Sequence, residues 1–161
     1  MTLHEEVQLL RQVPLFAKID PARLKLLAFT SDRLTFAKGD ILFRQGDAGD
    51  AAYLILGGSA EVTIETPTGE LVIATIEEHE IVGEIAILCD VPRTATVRAA
   101  DQVVALRIVK DRFFVLIEEF PEMAVEMMRE LAHRLEVTTM RLREAHSGSS
   151  VAIGDTGQPI G

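Results

Sequence analysis

Between Ser31 and Val109 the chain is cut into short β-rich runs: "RLTF", "ILFR", "AYLIL", "AEVTIE", "LVIATI", "TATVRA" and "VVALRIV". Glycine, aspartate or proline separates them at intervals of about ten residues, which predicts a small all-β barrel or sandwich. The stretch "AKGDILFRQGDAGDAAYLILGGSAEV" is the most punctuated, and Gly39, Gly46, Gly49, Gly57 and Gly58 are expected at turns with positive φ. A hairpin in "TIETPTGELVIA" is expected to turn at Pro67-Thr68-Gly69.

On either side the pattern becomes helical. Residues 4–12 and 21–28 read as two short helices, the second started by Asp20 as N-cap and Pro21 at the first helical position. After Val109, Asp111 is expected to cap "RFFVLIEEF", and Pro121 to open a longer helix reaching about Ala145. On that helix Ala124, Met128, Leu131, Leu135, Thr138 and Leu142 step by 4, 3, 4, 3 and 4, a heptad seam. Such a stripe packs on its own barrel or joins two subunits as a coiled coil; its length favours a homodimer. The predicted organisation is a helical segment 1–30, a β-domain 31–110, helices 111–146, and a flexible glycine- and serine-rich tail 147–161.

Composition narrows the classes of function. The chain has 161 residues, 48% of them hydrophobic, enough for one domain with a real core. No apolar stretch approaches the roughly 20 residues of a membrane-spanning helix, and "MTLHEEVQLLRQ" does not read as a signal peptide. One cysteine, Cys89, provides neither a disulfide framework nor a metal cluster, so a reducing cytoplasm is expected and Cys89 reads as a half-buried thiol. A net charge of −9 argues against a nucleic-acid surface but permits a site for one small anion. His79 reads as an exposed turn residue, and Met123, Met127 and Met128 as core. There is no Walker loop, zinc-protease helix or nucleophile elbow, so no catalytic residue, metal site or enzyme activity is expected.

The stretch "IVGEIAILCDVPRTATV", residues 81–97, carries the chemistry. "GEIAIL" can form one helical turn from Gly83, whose exposed N–H groups attract an anion, and glycine lets that anion approach the backbone. Arg93 offers a guanidinium fork suited to phosphate oxygens. Glu84 would repel a phosphate, yet it can accept a hydrogen bond from a sugar hydroxyl. Ile85, Ile87 and Leu88 are expected to anchor the turn to the barrel. The residues alone leave two readings open: a Glu84–Arg93 salt bridge, or a pocket for a sugar and its phosphate.

These residues also carry a resemblance. "GEIAILCDVPRTATV" closely resembles the phosphate-binding cassette of the cyclic nucleotide-binding domain family, with its Gly-Glu start and its Arg followed by small residues and valine. "KGDILFRQGDAGDAAYLILGGSAEV" looks like the β-segment that precedes that cassette, and the likeness spans roughly residues 10–145. It implies an α+β, mainly β fold: an eight-stranded, jelly-roll-like β-roll with N-terminal helices and a C-terminal helix pair. It also implies that Glu84 binds the ribose 2′-hydroxyl and Arg93 the cyclic phosphate. Gly83, Ile85, Ala86, Thr94 and Ala95 would complete the cradle through their backbone.

The last helix is similar to the dimerisation helix of the bacterial catabolite activators. That likeness implies that Thr138 and Thr139 reach the adenine amino group. Thr138 on the seam has an alternative reading, a hydroxyl bonded to its own helix. Thr94 points the other way, since a threonine directly after the arginine is found in cGMP-dependent kinases, where its hydroxyl can reach the guanine amino group. It also occurs in cAMP-preferring members and discriminates poorly, and cAMP is favoured over cGMP. Val62 and Ile73 are expected to support the base. Catabolite activators carry a helix-turn-helix after the dimer helix, and no DNA-binding segment is expected among these residues. A self-contained sensor and a piece of a longer protein both remain open. The implied function is a regulatory module that couples a cyclic nucleotide to movement of the C-terminal helices and to a downstream protein. No other cofactor is implied. The alternative is a ligand-independent member of the fold serving dimerisation or protein contact.

Overall fold

The computed structural model describes residues 2–153, and side chains through residue 146. Helix α1 (Leu3–Arg11) is opened by a reciprocal cap: the Glu5 N–H donates to Thr2 Oγ1, and the Thr2 N–H to Glu5 Oε2, each at 3.2 Å. A short 3₁₀ turn at Pro14–Phe16, not expected from the sequence, buries Leu15 and Phe16. Helix α2 (Pro21–Thr30) starts as expected, with Asp20 Oδ1 accepting from the Ala22 N–H at 3.1 Å.

Eight strands follow: β1 (Asp32–Phe36), β2 (Ile41–Phe43), β3 (Ala51–Gly57), β4 (Ala60–Thr66), β5 (Gly69–Ile76), β6 (Ile81–Val82), β7 (Thr96–Ala99) and β8 (Val103–Val109). They form two antiparallel four-stranded sheets, ordered β1-β8-β3-β6 and β2-β7-β4-β5. This is the mainly β roll expected, with helices at both ends. Inward residues such as Leu42, Ile55, Val82, Val97 and Val103 form its core. Strand β3, paired on its edges with β8 and β6, is buried on both faces from Ala51 to Leu56, and that burial explains why "AAYLIL" is a continuous apolar run instead of an alternating one. Edge strand β5 is exposed over most of its length.

Between β6 and β7 lies the six-residue helix α3 (Glu84–Cys89). Helix α4 (Lys110–Glu119) continues directly from β8, so Val109 occupies the N-cap position and makes no side-chain cap. Asp111 therefore does not cap the helix; it lies in the first turn, where its charge complements the helix dipole. Of the five glycines expected at positive φ, Gly39, Gly46 and Gly58 adopt it, while Gly49 and Gly57 do not. His79 does so as well (φ 69°), in a turn where its N–H donates to the Ile55 carbonyl at 2.7 Å, and it is half-buried instead of exposed.

Helix α5 spans Pro121–Ile153. The rest of the expected tail, residues 154–161, lies outside the described residues. The chain divides into two compact units within α5, after Met123. In the second unit Met128, Leu135 and Leu142, three seam positions seven residues apart, are 60%, 68% and 66% exposed. Met123 and Met127 are buried as expected, but Met128 belongs to that exposed stripe and not to the core. No helix among the described residues is long and apolar enough to cross a membrane.

Candidate functional site

Strand β6 delivers the chain to Gly83, which takes a left-handed conformation (φ 89°) before α3 begins. Glycine is required there twice over. Other residues are strained at that φ, and an added Cβ would stand 2.6 Å from Arg93 Nη1 and 3.2 Å from the Phe43 ring. Asp90 ends α3, again in the left-handed region (φ 53°), and the Val91 N–H returns to the Ala86 carbonyl at 3.2 Å.

With only one and a half turns, α3 has one inner face. Glu84, Ala86 and Ile87 occupy it, and Ile85 and Leu88 point outward at 41% and 39% exposure. Of the three apolar residues expected to anchor the turn, Ile87 alone is buried; at 3.6 residues per turn, 85 and 88 share the opposite side. Gly49 supplies the contact on the inner face: its Cβ, if it had one, would lie 2.4 Å from that of Ala86. Glu84 is 1% exposed, a carboxylate held inside the fold at the first position of the helix.

Arg93 is 3% exposed. Two main-chain bonds hold its backbone to the loop after β2: the Arg93 N–H donates to the Asp47 carbonyl at 2.7 Å, and the Gly46 N–H to the Arg93 carbonyl at 2.9 Å. Its guanidinium donates from Nη1 to the Gly83 carbonyl at 2.8 Å and from Nη2 to the Ala51 carbonyl at 2.6 Å. Asp50 Oδ1 stands 3.6 Å from Nη2, and the Phe43 ring centroid lies 4.0 Å from the guanidinium carbon. Burial pushes the Arg93 pKa below its ordinary value, with Tyr53, Asp50 and Asp47 pulling it back up. The buried Nε–H has no hydrogen-bond partner among the described residues. A charged, desolvated fork with a donor to spare is suited to an anion.

Asp50 also ties the site to the start of α4. Its second oxygen pairs with Arg107 Nη2 at 3.2 Å, and its carbonyl accepts from the Lys110 N–H at 2.9 Å. The Lys110 ammonium lies 3.5 Å from Asp90, at the end of α3. Neither Asp50 nor Phe43 stands out in the sequence, where both lie in the segment whose glycines are expected at turns.

The other expected residues divide into groups. Gly83, Glu84, Ile85 and Ala86 form the start of α3, and Arg93 is bonded directly to Gly83. Thr94 is exposed and Ala95 buried. Val62 is half-buried and packs on the core between the sheets, while Ile73 lies on exposed β5. Thr138 and Thr139 are exposed on α5, in the second unit. Cys89 is exposed instead of half-buried, because it is the last residue of the short α3.

Comparison with known proteins bears on the family and the fold. A family model described as the cyclic nucleotide-binding domain matches residues 33–120. The cAMP-dependent protein kinase regulatory subunit of Blastocladiella emersonii is 33% identical over 105 residues, covering 65% of this chain and 26% of that protein. The CRP-like cAMP-activated global transcriptional regulator of Mycobacterium tuberculosis is 25% identical over 138 residues, covering 85% of this chain and 62% of the regulator. The chain thus spans about a quarter of the kinase subunit and under two thirds of the regulator. Among solved structures, the sensor domain of the transcriptional regulator DNR from Pseudomonas aeruginosa aligns with a TM-score of 0.73 and 26% identity, over 88% of this chain and 94% of that one. With more than half of its length matched by the family model, the chain belongs to the cyclic nucleotide-binding domain family.

Proposed function

We propose that this chain is a regulatory module that senses a cyclic nucleotide, with cAMP preferred over cGMP. Arg93 receives the cyclic phosphate, and Glu84 accepts from the ribose 2′-hydroxyl. The main-chain groups of Gly83, Ile85, Ala86, Thr94 and Ala95 close the cradle. The observation that carries this reading is the buried Arg93 guanidinium, bonded to Gly83 and keeping a donor without a partner among the described residues. A ligand-independent module would gain nothing from that arrangement, because a desolvated cation with an unused N–H lowers stability. The roles assigned here bind and orient; none breaks a bond, so the module is read as a regulator and not an enzyme.

Preference for cAMP rests on the relatives, whose names are cAMP-dependent and cAMP-activated, and on Thr138 and Thr139 as partners of the adenine amino group. Val62 and Ile73 support the base. The exposed stripe of α5 joins two copies of the chain in a homodimer, and the β-domain 31–110 signals through helices 111–146 to a downstream protein in the cytoplasm. Asp50 and Lys110 supply the local link from the cassette to α4, so a ligand that moves the cassette biases the helix. Isothermal titration of the chain with cAMP and cGMP tests the reading. Saturable binding, tighter for cAMP, is expected; heats of dilution alone for both nucleotides would refute it.

A further inference from the structure

We infer that Phe43 is a positioning residue for ligand capture, acting through Arg93 and not by touching the ligand itself; this rests on the binding role proposed for Arg93. A guanidinium is planar: its five N–H groups lie in the plane, and its faces carry none. Two carbonyls, of Gly83 and Ala51, fix Arg93 within that plane. Hydrogen bonds of this kind leave the plane free to tilt about the line joining the acceptors. The guanidinium carbon lies over the Phe43 ring, 4.0 Å from its centroid, and contact with that ring restrains the tilt. It thereby sets the direction in which the spare Nε–H points.

The ring is itself held in place. Phe43 ends β2, whose pairing with β7 shifts register between Ile41 and Phe43; an irregularity of that kind re-aims a side chain. Behind Phe43 stands the Tyr53 ring, with centroids 5.8 Å apart, and behind Tyr53 the Phe36 ring at 6.4 Å. In front is Gly83, where even one added carbon would crowd both the ring and Arg93 Nη1. An aromatic ladder from β1 through β3 to β2 therefore ends on the cation of the cassette. Leucine at position 43 would fill much of the same space but has no π face to hold a desolvated cation.

The test combines calorimetric titration with cAMP and the NMR resonance of the Arg93 Nε–H in the ligand-free chain, for wild type, Phe43→Leu and Phe43→Tyr. The expected result is about a tenfold loss of affinity in Phe43→Leu and less than about a twofold change in Phe43→Tyr. The Nε–H resonance loses its ring-current shift in any aliphatic variant, so the discriminating readout is its exchange with water, which should speed up at least about tenfold in Phe43→Leu and stay at the wild-type rate in Phe43→Tyr. Should Phe43→Leu fail to fold by thermal melting, Phe43→Met takes its place. Wild-type affinity in the aliphatic variant, or equal losses in both variants, overturns the inference. A wild-type chain that does not bind cAMP overturns the binding role of Arg93 instead, and the position of Phe43 is then judged by the Nε–H exchange alone: a wild-type rate in the aliphatic variant overturns it.

Discussion

Gly49 and Ala86 meet where the loop before β3 passes under α3, so closely that a β-carbon on Gly49 would stand 2.4 Å from that of Ala86. Backbone atoms of Ala86 lie at 3.2 and 3.3 Å from the same point, so rotating a side chain cannot relieve the clash. Gly49→Ala should therefore push α3 outward and destabilise the fold by about 1–3 kcal/mol. Because α3 carries Glu84 and the backbone donors at its start, cAMP affinity should fall along with stability. Urea unfolding and calorimetry on one preparation would check both. Wild-type stability in the variant would mean that the loop and α3 are not packed as described.

Arg93→Met should separate function from stability. Burial lowers the Arg93 pKa, so the unfolded chain holds that proton more tightly than the folded chain does. The resulting cost to folding is fully present at every pH below the folded pKa, and it is recovered only as pH rises through that value. Methionine removes the charge and keeps an apolar stem against Phe43, which offsets the lost bonds to Gly83 and Ala51. The expected melting temperature lies within about 3 °C of wild type, corresponding to about 1 kcal/mol for a domain of this size. Affinity for cAMP should fall by about 2–4 kcal/mol, because the phosphate loses its only assigned side-chain cation. Differential scanning calorimetry and titration read the two quantities; undiminished affinity would remove Arg93 from the site.

Seven of the eight strands were legible because each is an apolar run long enough to stand between turn residues. Strand β6 was not: it is two residues, Ile81 and Val82, paired with Leu54 and Tyr53 inside a run that continues into α3. The cassette itself could be read because Gly83, Glu84 and Arg93 are close in sequence and their order is specific. Phe43 and Asp50 belong to the same cluster but lie on segments more than forty residues before Arg93, and only the folded roll brings them to it. Asp111 was misread for a related reason. A capping residue needs a break before its helix, and β8 enters α4 without one.

Asp50→Asn offers a contrast with Arg93→Met. The carboxylate is 3.6 Å from Arg93 and 3.2 Å from Arg107, which invites a large electrostatic role. Its side chain is nevertheless 67% exposed, and solvent screens pairs of that kind to about 0–1 kcal/mol. Asparagine keeps the size and the main-chain bond to Lys110. The expected change in cAMP affinity is therefore less than about fivefold in either direction at moderate salt. A loss as large as that of Arg93→Met would show that Asp50 contributes to the cradle directly.

The stripe on α5 yields the last prediction. Met128, Leu135 and Leu142 are each at least 60% exposed and recur every seven residues, with Leu131 and Thr138 at the intervening seam positions. Exposed leucines in that register are what a second helix with the same sequence would cover in a coiled coil. Leu135→Glu places a charge near the middle of the stripe, where two identical helices would bring two such charges together. That substitution costs a lone chain little, since residue 135 is already 68% exposed, but it should abolish association. Light scattering should give a dimer mass for the wild-type chain and a monomer mass for the variant, with circular dichroism retaining most of the helix signal. If the wild-type chain scatters as a monomer at high concentration, with and without cAMP, the seam does not pair with itself.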